Sequence, residues 1–242
     1  MNQPEKPLVL ITHPIPRDWL TRLFETCQVI TGPSGIQGLS PELEEKLPNA
    51  SGVISLLDDP IDSALLKRAS SLRVISNMAV GLDNIDLTTC TEMGIPVGNT
   101  PGVLTEGTAD LTMALLLAVG RRIYQANADA KAGLWSTWDP AGWLGADLAG
   151  STLGILGMGK IGTSVARRAA AFDCEIIFTN RSPKPALENE LPARQVPLEK
   201  LLENSDFLCL HAPLTEETDQ LIDQEALQKM KQSAILINAA RG

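Results

Sequence analysis

The chain has 242 residues, 44% of them hydrophobic, a length and apolar content that can bury two cores rather than one small one. Its formal net charge of −9 repels nucleic acid and anionic membrane surfaces, which argues against both as partners, and an anionic ligand must therefore be held by local cations. The four cysteines, Cys27, Cys90, Cys174 and Cys209, lie far apart with no CxxC pair, so neither a metal site nor a disulfide framework is expected, and the reducing cytoplasm is the simplest compartment.

The first residues, MNQPEKPLVLITHP, hold one short apolar run and lack the basic lead-in and small-residue cleavage site of a signal peptide. Strand-like and helix-like segments then alternate. PLVLIT precedes a helical stretch near 17 to 26, SGVISLL one near 61 to 69, LRVISN one near 86 to 92, and IPVGN follows. Short apolar runs separated by helical spacing read as βα units around a parallel sheet. Asn99-Thr100-Pro101-Gly102 breaks both kinds of periodicity, which sets domains of 1–99 and 100–242. One long helix is expected from about Thr105 to Lys131, ending before Gly133, with its apolar face in LTMALLLAV. Leu111 to Val119 is the most apolar stretch, but Asp110, Arg121 and Arg122 bound it well short of the roughly 20 residues a bilayer requires.

Trp135, Trp138 and Trp143 follow, three of the four tryptophans in the chain. They form either a satellite core beneath a long loop or a subunit contact or pocket wall. A second alternating series starts at Ser151: TLGILG, a helix near 161 to 171, EIIFTN, a Pro-punctuated stretch at 183 to 197, a helix near 198 to 204, DFLCLHAP, a helix near 223 to 231, and AILIN. There is no internal repeat or low-complexity segment.

Gly157-Met158-Gly159-Lys160-Ile161-Gly162 fits GxGxxG between a strand-like and a helix-like segment. The first glycine permits a tight turn, the second lets a pyrophosphate approach the backbone, and the third lets helix and strand pack closely. The helix N-terminus then offers free N–H groups and a positive dipole end. A plain packing turn, or the similar turn of a methyltransferase, uses the same residues. Asn180 lies 18 residues beyond Gly162, where an NAD site usually has an acidic residue, and Arg181, Ser182 and Lys184 follow it. A carboxylate would repel a ribose 2′-phosphate, whereas a guanidinium grips one, so NADP(H) is the preferred cofactor and NAD(H) a possible one. The alternative is a solvated basic loop.

"AVGLDNID" at 79 to 86, "NTPGVLTEGTAD" at 99 to 110, "LGMGKIG" at 156 to 162, "LHAPLT" at 210 to 215 and "INAARG" at 237 to 242 together resemble the D-isomer-specific 2-hydroxyacid dehydrogenase family. NRSPK with WSTWDPAGW is most similar to its glyoxylate/hydroxypyruvate reductase members. The resemblance runs through essentially the whole chain in order. It implies an α/β fold with a flavodoxin-like substrate domain, whose N-terminal part is 1–99, and a doubly wound Rossmann cofactor domain at 100–242 that is incomplete at its C-terminal end. The active site is expected in the cleft between them, the partner is a small 2-oxo or 2-hydroxy acid, and the full-length protein is expected to be a homodimer.

The resemblance also implies roles residue by residue. The N–H groups of Val80 and Gly81 hold the substrate carboxylate, Arg241 grips carboxylate and carbonyl oxygen, Leu57 lines the substrate pocket, and Trp138 reaches across the dimer into the partner's pocket. A planar guanidinium fork suits that grip and lysine does not. Lys160 and Ile161 fall at the pyrophosphate and residues Asn180 to Lys184 at the 2′-phosphate. His211, Ala212 and Pro213 fall by the adenosine, and Thr108, Asn238, Ala239 and Ala240 near the nicotinamide.

In the family the general acid is a histidine paired with a glutamate, downstream of the arginine in segments resembling PEP and PHIGSA. The glutamate keeps the imidazole charged and oriented for proton donation. Neither segment is present, so the chain is expected to be C-terminally truncated and inactive by itself. His13 and His211 are not expected to replace the acid. AILIN is expected as the fifth strand of a sheet ordered 3-2-1-4-5, with Ile235, Leu236 and Ile237 along an uncovered apolar edge prone to self-association. The alternative from another class is a non-catalytic NADP(H)-binding or dimerisation protein. A methyltransferase fits less well, because Arg181 and Lys184 stand where such enzymes place an acidic residue.

Overall fold

In the computed structural model, which describes residues 6–241, the alternating runs become two five-stranded parallel sheets. One lies in each of two units, Met1–Val103 and Leu104–Gly242.

The first unit runs β1 (Leu8–Ile11), α1 (Thr21–Thr26, entered through a 3-10 turn at Arg17–Leu20), β2 (Gln28–Thr31), α2 (Pro41–Lys46), β3 (Gly52–Ser55), α3 (Ser63–Arg68), β4 (Val74–Asn77), α4 (Leu87–Glu92) and β5 (Val97–Gly98). Its strand order is β2-β1-β3-β4-β5, that of a flavodoxin-like sheet. The register aligns Ile30, Leu10, Val53, Ile75 and Val97 in one row across all five strands, and all five pack in the same apolar cluster. The helices of this unit are short, and α2, α3 and α4 begin at side-chain caps. Ser40, Asp62 and Asp86 each accept a hydrogen bond from the backbone N–H three residues on, satisfying a donor the helix itself leaves unpaired.

The second unit runs α5 (Thr105–Gly120), α6 (Ile123–Lys131), β6 (Thr152–Leu156), α7 (Lys160–Ala169), β7 (Glu175–Thr179), α8 (Pro185–Glu190), β8 (Ala193–Gln195), α9 (Leu198–Asn204), β9 (Phe207–Leu210), α10 (Gln224–Lys229) and β10 (Ile235–Asn238). The sheet order is β10-β9-β6-β7-β8, the expected 3-2-1-4-5 arrangement of a doubly wound sheet. Residues alternate faces along each strand. Leu153, Ile155, Phe178, Phe207 and Cys209 face the cluster that includes residues of α5 and α7, and Leu156, Ile177 and Leu208 face the one that includes residues of α9 and α10. Arg168 on α7 ties that helix to α5 through ion pairs with Glu106 at 2.9 Å and Asp110 at 2.7 Å.

Several expectations change. The single helix from 105 to 131 is two helices, because the Gly120 carbonyl is taken by the Ala146 N–H at 2.8 Å and Arg122 turns left-handed at φ +53°. β2, α2, α8 and β8 lie in stretches whose sequence announces no element. β10 is an edge strand, yet its apolar residues do not line the edge together. Ile237 is buried, Ile235 packs on the same cluster, and Leu236 points to the opposite face and is partly exposed, as strand alternation requires. No helix among the described residues is long and apolar enough to cross a membrane.

Candidate functional site

β6 delivers the glycine turn to the carboxyl end of the second sheet, and α7 leads away from it. Gly157 sits at φ +97°, where side chains are strained, and a Cβ there would meet the Ala212 backbone nitrogen at 2.6 Å. A Cβ on Gly162 would collide with the Gly157 carbonyl oxygen. Gly159 is different, for a Cβ there would meet nothing within 4 Å. The N–H groups of Gly159, Lys160 and Ile161 donate no hydrogen bond among the described residues. Bare donors at the positive end of a helix dipole, beside a glycine with open space, fit the pyrophosphate of a dinucleotide.

The turn after β7 is braced against this loop. Met158 N–H donates to the Asn180 side-chain oxygen at 3.1 Å, Asn180 Nδ2 donates to the Ser182 carbonyl at 2.8 Å, and Gln195 Nε2 donates to the Asn180 carbonyl at 2.9 Å. Both ends of the Asn180 carboxamide are thus engaged in shaping the turn. Arg181 and Ser182 are exposed and Lys184 is half-buried. Arg181 forms no hydrogen bond or ion pair among the described residues. Across from it, Glu217 is held below the usual carboxylate range, first by the Thr215 hydroxyl and at longer range by the Arg181 guanidinium.

A pocket of about 290 Å³ opens beyond the carboxyl ends of β6, β9 and β10, lined by Leu156, Leu210, Ala212, Pro213, Asn238 and Arg241 among others. The loop that closes its far side is pinned by the Thr218 hydroxyl, which donates to the Pro213 carbonyl at 2.6 Å and accepts from Thr215 N–H at 2.8 Å. Asn238 braces the chain bearing the arginine, accepting from Ala240 N–H at 3.0 Å and donating to the Arg241 carbonyl at 2.6 Å. Arg241 is half-buried at this pocket. Residues expected at the adenosine, Ala212 and Pro213, and near the nicotinamide, Asn238 and Ala240, therefore share one pocket with Arg241. Thr108, half-buried in the first turn of α5, does not line it.

In the first unit, the loops after β3 and β4 carry the other expected site residues. Leu57 is 50% and Val80 41% exposed. The Val80 carbonyl accepts from Asn99 Nδ2 at 2.8 Å and the Gly81 carbonyl from Asn77 Nδ2 at 3.0 Å. Neither the Val80 nor the Gly81 N–H donates a hydrogen bond among the described residues. Tied carbonyls and unpaired neighbouring N–H groups are what a carboxylate-binding backbone segment needs. Sequence reasoning gave Asn77 and Asn99 no such part, since a side chain that holds a backbone in place leaves no motif of its own.

His211 follows β9 with both ring nitrogens buried and unpartnered among the described residues, and burial pushes its pKa down to about 4. His13 Nδ1 lies 3.2 Å from the Thr12 hydroxyl and 3.5 Å from the Asp59 carboxylate. Trp143 donates to Asp129 at 3.0 Å and packs on Trp135 with ring centroids 5.9 Å apart, whereas Trp138 stands 76% exposed. No group of three potential metal ligands occurs among the described residues.

Residues 113–242 match the family model of the D-isomer specific 2-hydroxyacid dehydrogenase NAD binding domain. A glyoxylate reductase of Korarchaeum cryptofilum is 44% identical over 238 residues, covering 98% of this chain and 72% of the relative. A crystal structure of a Thermus thermophilus protein superposes with a TM-score of 0.88 at 45% identity, covering 97% of this chain and 74% of that one. The D-lactate dehydrogenase of Aquifex aeolicus, solved in complex with NAD and lactic acid, superposes with a TM-score of 0.85 at 28% identity over 97% of this chain and 69% of that one.

Proposed function

We infer the function from one premise: the chain belongs to the D-isomer specific 2-hydroxyacid dehydrogenase family, with glyoxylate reductases among its relatives. The reading is NADPH-dependent reduction of a small 2-oxo acid, glyoxylate or hydroxypyruvate, to the 2-hydroxy acid. The observation that carries it is the seat of Arg241 in the pocket it shares with Ala212, Pro213 and Asn238, which puts a permanent cation beside the nucleotide-binding loops.

A bound nicotinamide nucleotide supplies the hydride. The N–H groups of Gly159, Lys160 and Ile161 would hold its pyrophosphate over the turn that Gly157 and Gly162 permit, with Arg181, Ser182 and Lys184 as donors to a 2′-phosphate. Arg241 grips the substrate carboxylate and polarises the carbonyl, and its charge stabilises the alkoxide as it forms. The Val80 and Gly81 N–H groups take the carboxylate and Leu57 contacts the substrate. In this chain the alkoxide takes its proton from water and not from either histidine, because burial pushes the His211 pKa down to about 4 and His13 is turned to Thr12 and Asp59. Trp138 is assigned to the contact with a second copy of the chain.

Two binding measurements test this reading. NADPH is expected to bind at least about 10-fold more tightly than NADH, and Arg181→Ala to remove most of that difference, as for a charge-assisted contact worth about 1.5–3 kcal/mol. Equal affinities would overturn the NADP(H) preference. Oxalate, a two-carbon diacid that cannot be reduced, is expected to bind in the presence of NADPH and to weaken by about 100-fold or more in Arg241→Ala, the scale of a lost electrostatic contact. Oxalate binding that survives Arg241→Ala unchanged would remove Arg241 from the substrate site.

A further inference from the structure

We propose that Asn84 is a positioning residue for 2-oxo acid binding, latching the loop after β3 to the loop after β4 so that the Val80 and Gly81 N–H groups stay aligned beside Leu57. This rests on the reading of those residues as substrate contacts. Asn84 Nδ2 donates to the Leu56 carbonyl at 3.0 Å and the Asp59 carbonyl at 2.8 Å, on either side of Leu57. Its Oδ1 accepts from Asn77 Nδ2 at 3.0 Å, and the same Asn77 amide donates to the Gly81 carbonyl. Asn77 is fully buried at the end of β4, and its own oxygen accepts from the Ser55 hydroxyl at 3.0 Å. Two carboxamides in series therefore connect Leu56 and Asp59 to Gly81.

The latch has a fixed lower anchor. The fully buried Asp59 carboxylate accepts from the Thr12 hydroxyl at 2.5 Å, the Leu56 N–H at 2.7 Å and the Gly38 N–H at 2.8 Å. The backbone adds a second stitch, with Ile61 N–H donating to the Asn84 carbonyl at 2.8 Å and Asp86 N–H to the Ile61 carbonyl at 2.9 Å. Only a carboxamide satisfies the position. Two donors must meet two carbonyls while one acceptor meets an N–H, and an aspartate of the same shape would press a carboxylate against both carbonyl oxygens.

The test is oxalate titration in the presence of NADPH for the wild-type chain, Asn84→Asp and Asn84→Ser, with thermal melting recorded for each. Asn84→Ser keeps a hydroxyl donor and adds no charge, so it carries the test where Asn84→Asp does not fold. Oxalate affinity is expected to fall by at least about 10-fold with NADPH affinity kept within about twofold, Asn84→Asp being the worse. Amide resonances of Val80 and Gly81 are expected to move in Asn84→Ser while those of Leu10 and Ile75 in the sheet stay. Wild-type oxalate affinity in Asn84→Ser, with binding still lost in Arg241→Ala, overturns this inference and leaves the substrate reading standing. Absence of oxalate binding by the wild type removes the substrate reading and the inference with it. Shifts that spread to Leu10 and Ile75 overturn it by making Asn84 a general folding residue.

Discussion

At the level of single residues, His211 shows how burial alters chemistry that a sequence leaves open. A histidine in LHAPLT reads as a cofactor-loop residue, and nothing in those letters says that both ring nitrogens lose contact with water. With its pKa pushed down to about 4, the imidazole is neutral in the folded chain across the range where an unfolded histidine, at about 6.5, takes up a proton. The unfolded chain then binds more protons between those two values, so stability is fully present above pH 6.5 and is lost as pH falls toward 4. Chemical denaturation of wild type and His211→Asn at pH 4.5 to 7.5 is expected to show the wild type losing up to about 3 kcal/mol more than the variant over that fall. Parallel profiles would mean that His211 is not the group being protonated. The glycine turn was legible for the opposite reason. Gly157 and Gly162 are required by backbone conformation and close approach, and only glycine meets either demand, so their spacing between a strand-like and a helix-like segment marks the turn.

At the level of elements, periodicity located what was long or strongly apolar and missed what depends on a distant partner. The stretch TEGTADLTMALLLAVGRRIYQANADAK contains no proline and reads as one helix. It ends at Gly120 because Ala146, 26 residues later, captures a carbonyl that would otherwise continue the ladder, and Gly120 is also where a Cβ would crowd Phe207 at 3.2 Å. β2 and β8 went unread because neither carries a buried apolar run. QVIT has no buried residue, and Ala193–Gln195 lies between Pro192 and Pro197. The loops after β3 and β4 belong to the same class. Their positions followed from the strands, but the Asn77–Asn84 pair that joins them bridges residues 56 to 84, a relation no local pattern encodes.

At the level of the whole molecule, family motifs in the right order made both sheets legible, because each motif marks the end of a strand from which a loop must project. The segment from 132 to 146 needed the structure. It carries a single charged residue, Asp139, in a chain whose net charge is −9. Trp143 packs on Trp135 and donates its N–H to Asp129, which gives Trp143 a local packing role, while Trp135 stays 62% exposed. Trp138 at 76%, Leu144 at 69% and Leu134 at 68% exposure are left with their apolar surface in water, and an aromatic anchor amid weakly charged surroundings is the composition of an interface core. Self-repulsion from the net charge opposes association everywhere else on the surface, so a contact of two copies belongs where charge is sparse. Sedimentation of the wild type at micromolar concentration is expected to show a dimer, and Trp138→Ala to weaken it by about 30-fold or more, the effect of losing a hot-spot tryptophan worth at least about 2 kcal/mol. NADPH affinity should be unchanged in that variant, because its proposed contacts lie at the glycine turn and the basic loop. A monomeric wild type, or a dimer indifferent to Trp138→Ala, would return the segment to a purely local packing role.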